Sequence, residues 1–156
     1  MKALLFTALA ILALDQASKE AIVAGLSLAE VGVIDIAPPY LRFVMAWNTG
    51  VNFGLGGGWV GPWLLIALAL AISLGVGIWA LRRTSLALHI GAGLMIGGAI
   101  GNSIDRARFG AVADFLNMSC CGINNPYAFN VADIAIFAGV GCLLIFGDGK
   151  KTDSAG

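Results

Sequence analysis

The chain has 156 residues, of which 59% are hydrophobic and only 12% charged, about half the charged fraction of an ordinary soluble domain. Such a chain cannot cover a water-facing surface, and its length suits one compact domain in lipid. Nine basic and nine acidic residues cancel to a formal charge of zero, which leaves no basic surface for a nucleic acid.

The first predicted element is a helix from about 3 to 28. Lys2 and the apolar run Ala3 to Leu14 have the look of a secretory leader. No small-x-small cleavage site follows, and apolar character resumes at Ala21, so the segment reads as a retained helix. Asp15 and Lys19 lie four apart with the acid first, the favourable order for an ion pair on one helical face. That pair is open to two readings, a self-neutralising packing contact or support for a site.

From about 27 to 58 the pattern changes. Val31, Val33 and Ile34, then Leu41, Phe43 and Met45, fall around Pro38-Pro39 and predict short strands in a small extracytoplasmic platform. Gly54 and Gly56 to Gly58 end it in a flexible connection. The second span, 59–81, carries no charge, and Trp59, Trp63 and Trp79 mark its two ends as interfacial.

The third span, 86–104, repeats glycine at Gly93, Gly97 and Gly101, with Gly91 and Gly98 beside them, a flat face on which neighbouring helices pack closely. The fourth covers 131–146, and the polar tail 147–156 is expected to be disordered. Each span approaches the roughly 20 helical residues that cross a hydrocarbon core. Lys2, Arg82, Arg83, Lys150 and Lys151 fall on one side of this four-pass layout, which predicts both termini in the cytoplasm. Lys19, Arg42, Arg106 and Arg108 fall on the other side, most of them beside acids.

Chemistry concentrates near the ends of the third and fourth spans. Asn102, Ser103, Asp105 and Arg106 form a polar cluster in which Asp105 reads as an anchor. Asp114 has only apolar neighbours, Val112, Ala113, Phe115 and Leu116, and should be hard to ionise. Asp133 follows Asn130 by three residues, so on local grounds it is a helix cap in the first turn, favoured there as a carboxylate. Two carboxylates pushed apart in acidity make an acid/base pair, and an ionisable residue at membrane depth is a functional candidate.

No Ser/His or Cys/His pair competes. His89 reads as a packing residue, and Cys120, Cys121 and Cys142 lack metal-ligand spacing, so neither a metal nor a cofactor is expected. The adjacent Cys120 and Cys121 read as two thiols with no role, the alternative being a disulfide to another partner. Three functions remain: an aspartic hydrolase, a proton-coupled transporter, or a glycine-helix scaffold.

Four ordered blocks then carry a resemblance. Asp15-Gln16-Ala17-Ser18-Lys19 resembles D-x-x-S/T-K, and Asn48-Thr49-Gly50-Val51-Asn52-Phe53 resembles N-x-G-x-A-F. Gly101-Asn102-Ser103-Ile104-Asp105-Arg106 with Gly110, Val112, Asp114 and Phe115 resembles G-N-x-x-D-R-x-x-x-G-x-V-x-D-F, and Phe129-Asn130-Val131-Ala132-Asp133 resembles F-N-x-A-D. In this order they are similar to signal peptidase II, the bacterial lipoprotein signal peptidases, over nearly the whole chain. The resemblance implies a multi-pass enzyme of the bacterial cytoplasmic membrane, with Asp114 and Asp133 catalytic near the extracytoplasmic surface. It implies support from Asp15, Lys19, Asn48, Gly50, Asn52, Phe53, Asn102, Asp105, Arg106, Asn130 and Ala132. The implied partners are diacylglyceryl-modified prolipoproteins, cut just before the lipidated cysteine, membrane lipid, and globomycin-type inhibitors, with the enzyme a monomer. Asn52 departs from the alanine usual in the second block, which bears on substrate and inhibitor fit.

Overall fold

The computed structural model describes residues 1–50 and 60–147. Asn52, Phe53, the Gly54 to Gly58 connection, Trp59, and Lys150 and Lys151 of the tail lie outside the described residues. The elements in chain order are α1 (Lys2–Lys19), a π-helical turn Glu20–Ala24, α2 (Leu28–Val31), β1 (Val33–Ala37), β2 (Leu41–Asn48), α3 (Val60–Leu81), α4 (Leu86–Phe109), β3 (Val112–Met118) and α5 (Val131–Gly147).

The first helix stops before residue 28. Gly25 N–H reaches back five residues to the Glu20 carbonyl at 2.9 Å, and Ser27 then turns left-handed at φ 51°, a conformation that an L-residue helix cannot continue. Val31, expected in a strand, closes the short α2 instead.

The central helix is α4. Ser85 caps its start, accepting from Leu88 N–H at 3.4 Å, and Gly110 ends it in the left-handed region at φ 73°, so that its last residue, Phe109, lies five beyond the predicted Ile104. α1 runs parallel to it, from Leu4 beside Gly93 to Asp15 beside Gly101. A methyl group on Gly97 would lie 2.5 Å from the Ala8 carbonyl oxygen, so the two backbones touch there. α5 runs antiparallel on another face, from Ala132 beside Gly98 to Cys142, whose thiol donates to the Ala87 carbonyl at 3.2 Å.

The outside of this bundle is apolar. Phe6 of α1, Leu64, Leu68 and Leu74 of α3, and Phe137, Leu144 and Ile145 of α5 are all exposed. Buried instead are Asp15, Lys19, Asn102, Asp105, Asp114 and Asn130, the reverse of a soluble protein's distribution. Among the described residues two helices, Gly61–Leu81 and Leu86–Phe109, are long and apolar enough to cross a membrane, and Val131–Gly147 is a shorter apolar helix.

The strands form one antiparallel sheet in the order β1-β2-β3. Its third strand comes from the connection between α4 and α5, so the platform does not belong to the 27–58 segment alone. Val112, Ala113, Asp114 and Phe115 are all buried, which erases the alternation by which a strand is read from sequence. Ala46 pairs with Asp114 and Asn48 with Val112, and Phe43 meets Phe115 edge-on at 6.2 Å between ring centres. The sheet therefore sets Asp114 over the helix ends.

Candidate active site

The site grows from the N-terminus of α5. The first turn of a helix leaves backbone N–H groups without partners, and two carboxylates and an amide take them up here. Asn130 Oδ1 accepts from Asp133 N–H at 2.9 Å, while Asp133 Oδ2 accepts from Asn130 N–H at 3.3 Å. This reciprocal pair is a capping box with aspartate in the third position. Asp15, reaching across from α1, accepts from Ala132 N–H at 3.0 Å. Its approach depends on Gly101, where a methyl group would lie 2.5 Å from Asp15 Oδ2.

Capping does not exhaust either residue. The free oxygen of Asp133 accepts from Asn102 Nδ2 at 2.9 Å, and the amide nitrogen of Asn130 donates to Asp114 Oδ1 at 2.7 Å. One residue thus touches both carboxylates, Asn130 donating its side-chain amide to Asp114 and its backbone N–H to Asp133. Asn130 Nδ2 also donates to Asn102 Oδ1 at 3.2 Å, which locks the two asparagines in one orientation. Asp114 is only 2% exposed, whereas Asp133 is half-buried.

Beneath this pair lies an ionic base. Lys19 Nζ stands 2.8 Å from Asp15 and 2.7 Å from Asp105, with both partners buried, and donates to Asn102 Oδ1 at 3.4 Å. Asp105 also accepts Ala113 N–H at 3.2 Å, tying α4 to the strand residue just before Asp114. Arg106 turns elsewhere, donating to the Asn102 carbonyl at 3.4 Å. The carboxylates of Asp133, Asp114 and Asp105 all act on its charge. Its Nε is buried without a hydrogen-bond partner among the described residues.

At the exposed rim, Asn48 Nδ2 donates to Asp114 Oδ2 at 3.0 Å while its Oδ1 accepts Gly50 N–H at 2.9 Å. Gly50 has φ 83°, and a methyl group there would lie 3.4 Å from Arg106 Nη2, so the turn closes over the guanidinium. A cavity of about 290 Å³ opens beside Arg106, lined by Pro62, Trp63 and the end of α4 from Ala107 to Gly110.

Burial, and after it the neighbouring charge of Asp133, push the Asp114 carboxyl up to about 6. The hydrogen bonds from Asn48 and Asn130 and the charge of Lys19 pull against this. A carboxyl at this value exchanges a proton near neutral pH, which an ordinary aspartate does not.

Nine of the sequence-predicted residues, Asp15, Lys19, Asn48, Asn102, Asp105, Asp114, Asn130, Ala132 and Asp133, join one hydrogen-bonded and ionic network; Arg106 and Gly50 flank it. Asn52 and Phe53 lie outside the described residues. Gln16 was missed. Its amide donates to Asp15 at 3.1 Å, to Asp105 at 3.2 Å and to the Gly101 carbonyl at 3.4 Å. Its position beside Asp15 in a membrane-depth helix was the available signal.

A bundle with an apolar exterior, and a pair of bridged carboxylates at one end, defines a membrane enzyme of the acid/base class. The family model for "Signal peptidase (SPase) II" matches residues 7–147, and the chain belongs to the signal peptidase II family. It is 46% identical over 145 residues to the lipoprotein signal peptidase of Methylobacterium radiotolerans, covering 90% of this chain and 84% of that protein. The lipoprotein signal peptidase of Rhodopseudomonas palustris is 44% identical over 138 residues, covering 85% and 84%. Two solved structures of a bacterial membrane enzyme share the fold. One has TM-score 0.77 at 23% identity over 97% of this chain and 96% of that one; the other has 0.76 at 21% over 100% and 94%. Family membership decides for an enzyme over the transporter and scaffold readings.

Proposed function

We propose that this chain removes signal peptides from diacylglyceryl-modified prolipoproteins, cutting just before the lipidated cysteine, with Asp114 and Asp133 activating water. Removal of lipoprotein signal peptides is the activity of its family. The observation that carries the assignment of roles is the single residue Asn130, which donates its side-chain amide to the Asp114 carboxylate and its backbone N–H to the Asp133 carboxylate.

Asp133 serves as the base, since it sits in the first turn of α5 where the helix dipole favours a carboxylate. Its carboxylate takes a proton from water as the oxygen attacks the scissile carbonyl carbon. Asp114, the carboxyl pushed up to about 6, holds the proton that polarises the carbonyl oxygen in the tetrahedral intermediate. Collapse breaks the C–N bond, and the proton gained by Asp133 passes to the leaving nitrogen. Asn48 and Asn130 hold Asp114 in place, while the positive charges of Lys19 and Arg106 act on it.

In the membrane, α1, α3, α4 and α5 are taken as four spans. Lys2, Arg82 and Arg83 lie at the end away from the carboxylates, which supports cytoplasmic termini and an extracytoplasmic site in the bacterial inner membrane. The exposed apolar faces are left to membrane lipid, including the acyl chains of the substrate. The enzyme is taken to act as a monomer. Globomycin-type inhibitors are expected to bind at the same carboxylates.

The test uses purified enzyme in detergent and one precursor prepared with and without its diacylglyceryl group. Cleavage of the lipidated form, with little or none of the unlipidated form, is the expected result. Equal cleavage of both would overturn the substrate class.

A further inference from the structure

We infer that Cys120 and Cys121 form a reversible thiol–disulfide site on the face of the molecule that carries the carboxylates. The two residues open a tight turn, Cys120 to Ile123, closed by Ile123 N–H to the Cys120 carbonyl at 2.9 Å. Cys121 and Gly122 both have positive φ, 58° and 81°, the signature of a type I′ turn. Glycine, asparagine and aspartate favour these positions, and Cys121 occupies one of them while exposed, so packing does not explain it.

The thiols themselves meet, one sulfur donating to the other at 2.8 Å. Both side chains are exposed, so each is open to a water-borne reagent. The hydrogen bond that Cys120 donates to its neighbour raises the Cys120 thiol. By contrast, Cys142 is half-buried among helices and gives its S–H to a carbonyl.

Consecutive Cα atoms stand about 3.8 Å apart, closer than the roughly 4.4 to 6.8 Å usual across a disulfide. A bond between neighbours is therefore strained and easily reduced, the property of labile disulfides rather than structural ones. The oxidant class is a disulfide, R–S–S–R. The thiolate of one cysteine attacks a sulfur of R–S–S–R, forming a mixed disulfide and expelling RS⁻. The second cysteine gives its proton to solvent and attacks the first, closing the Cys120–Cys121 bond and expelling a second RS⁻. The protein loses two hydrogens and two electrons, and the reagent gains them as two thiols.

The turn is well placed to be sensed. It interrupts the connection from β3 to α5, which Asn117 binds through the Asn125 and Tyr127 carbonyls at 2.8 and 2.9 Å. That connection joins Asp114 to Asn130 along the chain.

The experiment takes the full chain in detergent in a Cys142→Ser background, reduces it, and equilibrates it across a series of reduced-to-oxidised glutathione ratios. Acid quenching, alkylation and mass spectrometry then count free thiols. The expected result is a passage from two alkylated cysteines to none, with the peptide two hydrogens lighter and no retained glutathione. Cys120→Ser should instead hold one glutathione on Cys121. Two free thiols at every ratio, retained glutathione on the unsubstituted pair, or disulfide-linked dimers would each overturn the inference. This readout is independent of peptidase activity.

Discussion

The two halves of α4 use opposite physics. From Gly91 to Gly98 the helix is dry, and its neighbours come so close that backbone meets backbone. From Gly101 to Arg106 the same helix carries Asn102, Asp105 and Arg106, and its neighbours meet it through charges and amides. The dry half sets the spacing of α1 and α5 by dispersion alone. The polar half then fixes which way each side chain points. A buried polar network rigidifies a site only when its members are satisfied, and close packing one turn below keeps these partners in reach.

The largest effect should come from breaking the ionic base. Lys19→Met leaves Asp15 and Asp105 buried without their cation, a loss of the order of 3 to 5 kcal/mol, measurable by thermal unfolding in detergent. Adding Asp105→Asn should return part of it, because one of the two stranded charges is gone. Next comes the dry half. Gly97→Ala puts a methyl group into the Ala8 backbone and should cost about 1 to 3 kcal/mol, with activity falling only as far as folding does. If Gly97→Ala hurts activity more than Lys19→Met at matched folded fraction, the division between the halves is wrong.

A pH titration gives a smaller, signed effect. Folding raises the Asp114 carboxyl from 3.8 to about 6, so the protonated form favours the folded state. Its contribution is complete below 3.8 and is lost as pH rises through about 6. The melting temperature of the unsubstituted protein should therefore fall across that window more than that of Asp114→Asn, which has no such group. Parallel curves would remove Asp114 from the account of acidity. The smallest change is Asn48→Ala at the exposed rim. It deletes one hydrogen bond that holds Asp114 down, worth about 1 kcal/mol. The alkaline limb of the rate profile, where Asp114 gives up its proton, should move to higher pH, while stability barely changes.

Much of the dry half was legible in the sequence, because glycines four apart and long apolar runs are local signals. The Asp15 to Lys19 pair was legible for the same reason. β3 was not: its residues are buried on both faces, and its partner strand is separated from it by more than sixty residues, since Asn48 meets Asp114 across 66 positions. The end of α1 was missed because its apolar character outlasts its helical geometry. Asp133 was read locally as a cap, and it does cap, but its second oxygen belongs to Asn102, which no local pattern reveals. Gln16 was overlooked because its three partners come together only when α1 lies on α4.

The central claim is that Asp114 and Asp133 act as one bridged pair. The most direct measurement is cleavage of a lipid-modified precursor by Asp114→Asn and by Asp133→Asn, each purified folded in detergent. Each amide keeps the shape and removes the acid, and each single variant should lose at least about 100-fold in rate. Cleavage by either variant at close to the unsubstituted rate would contradict the pair.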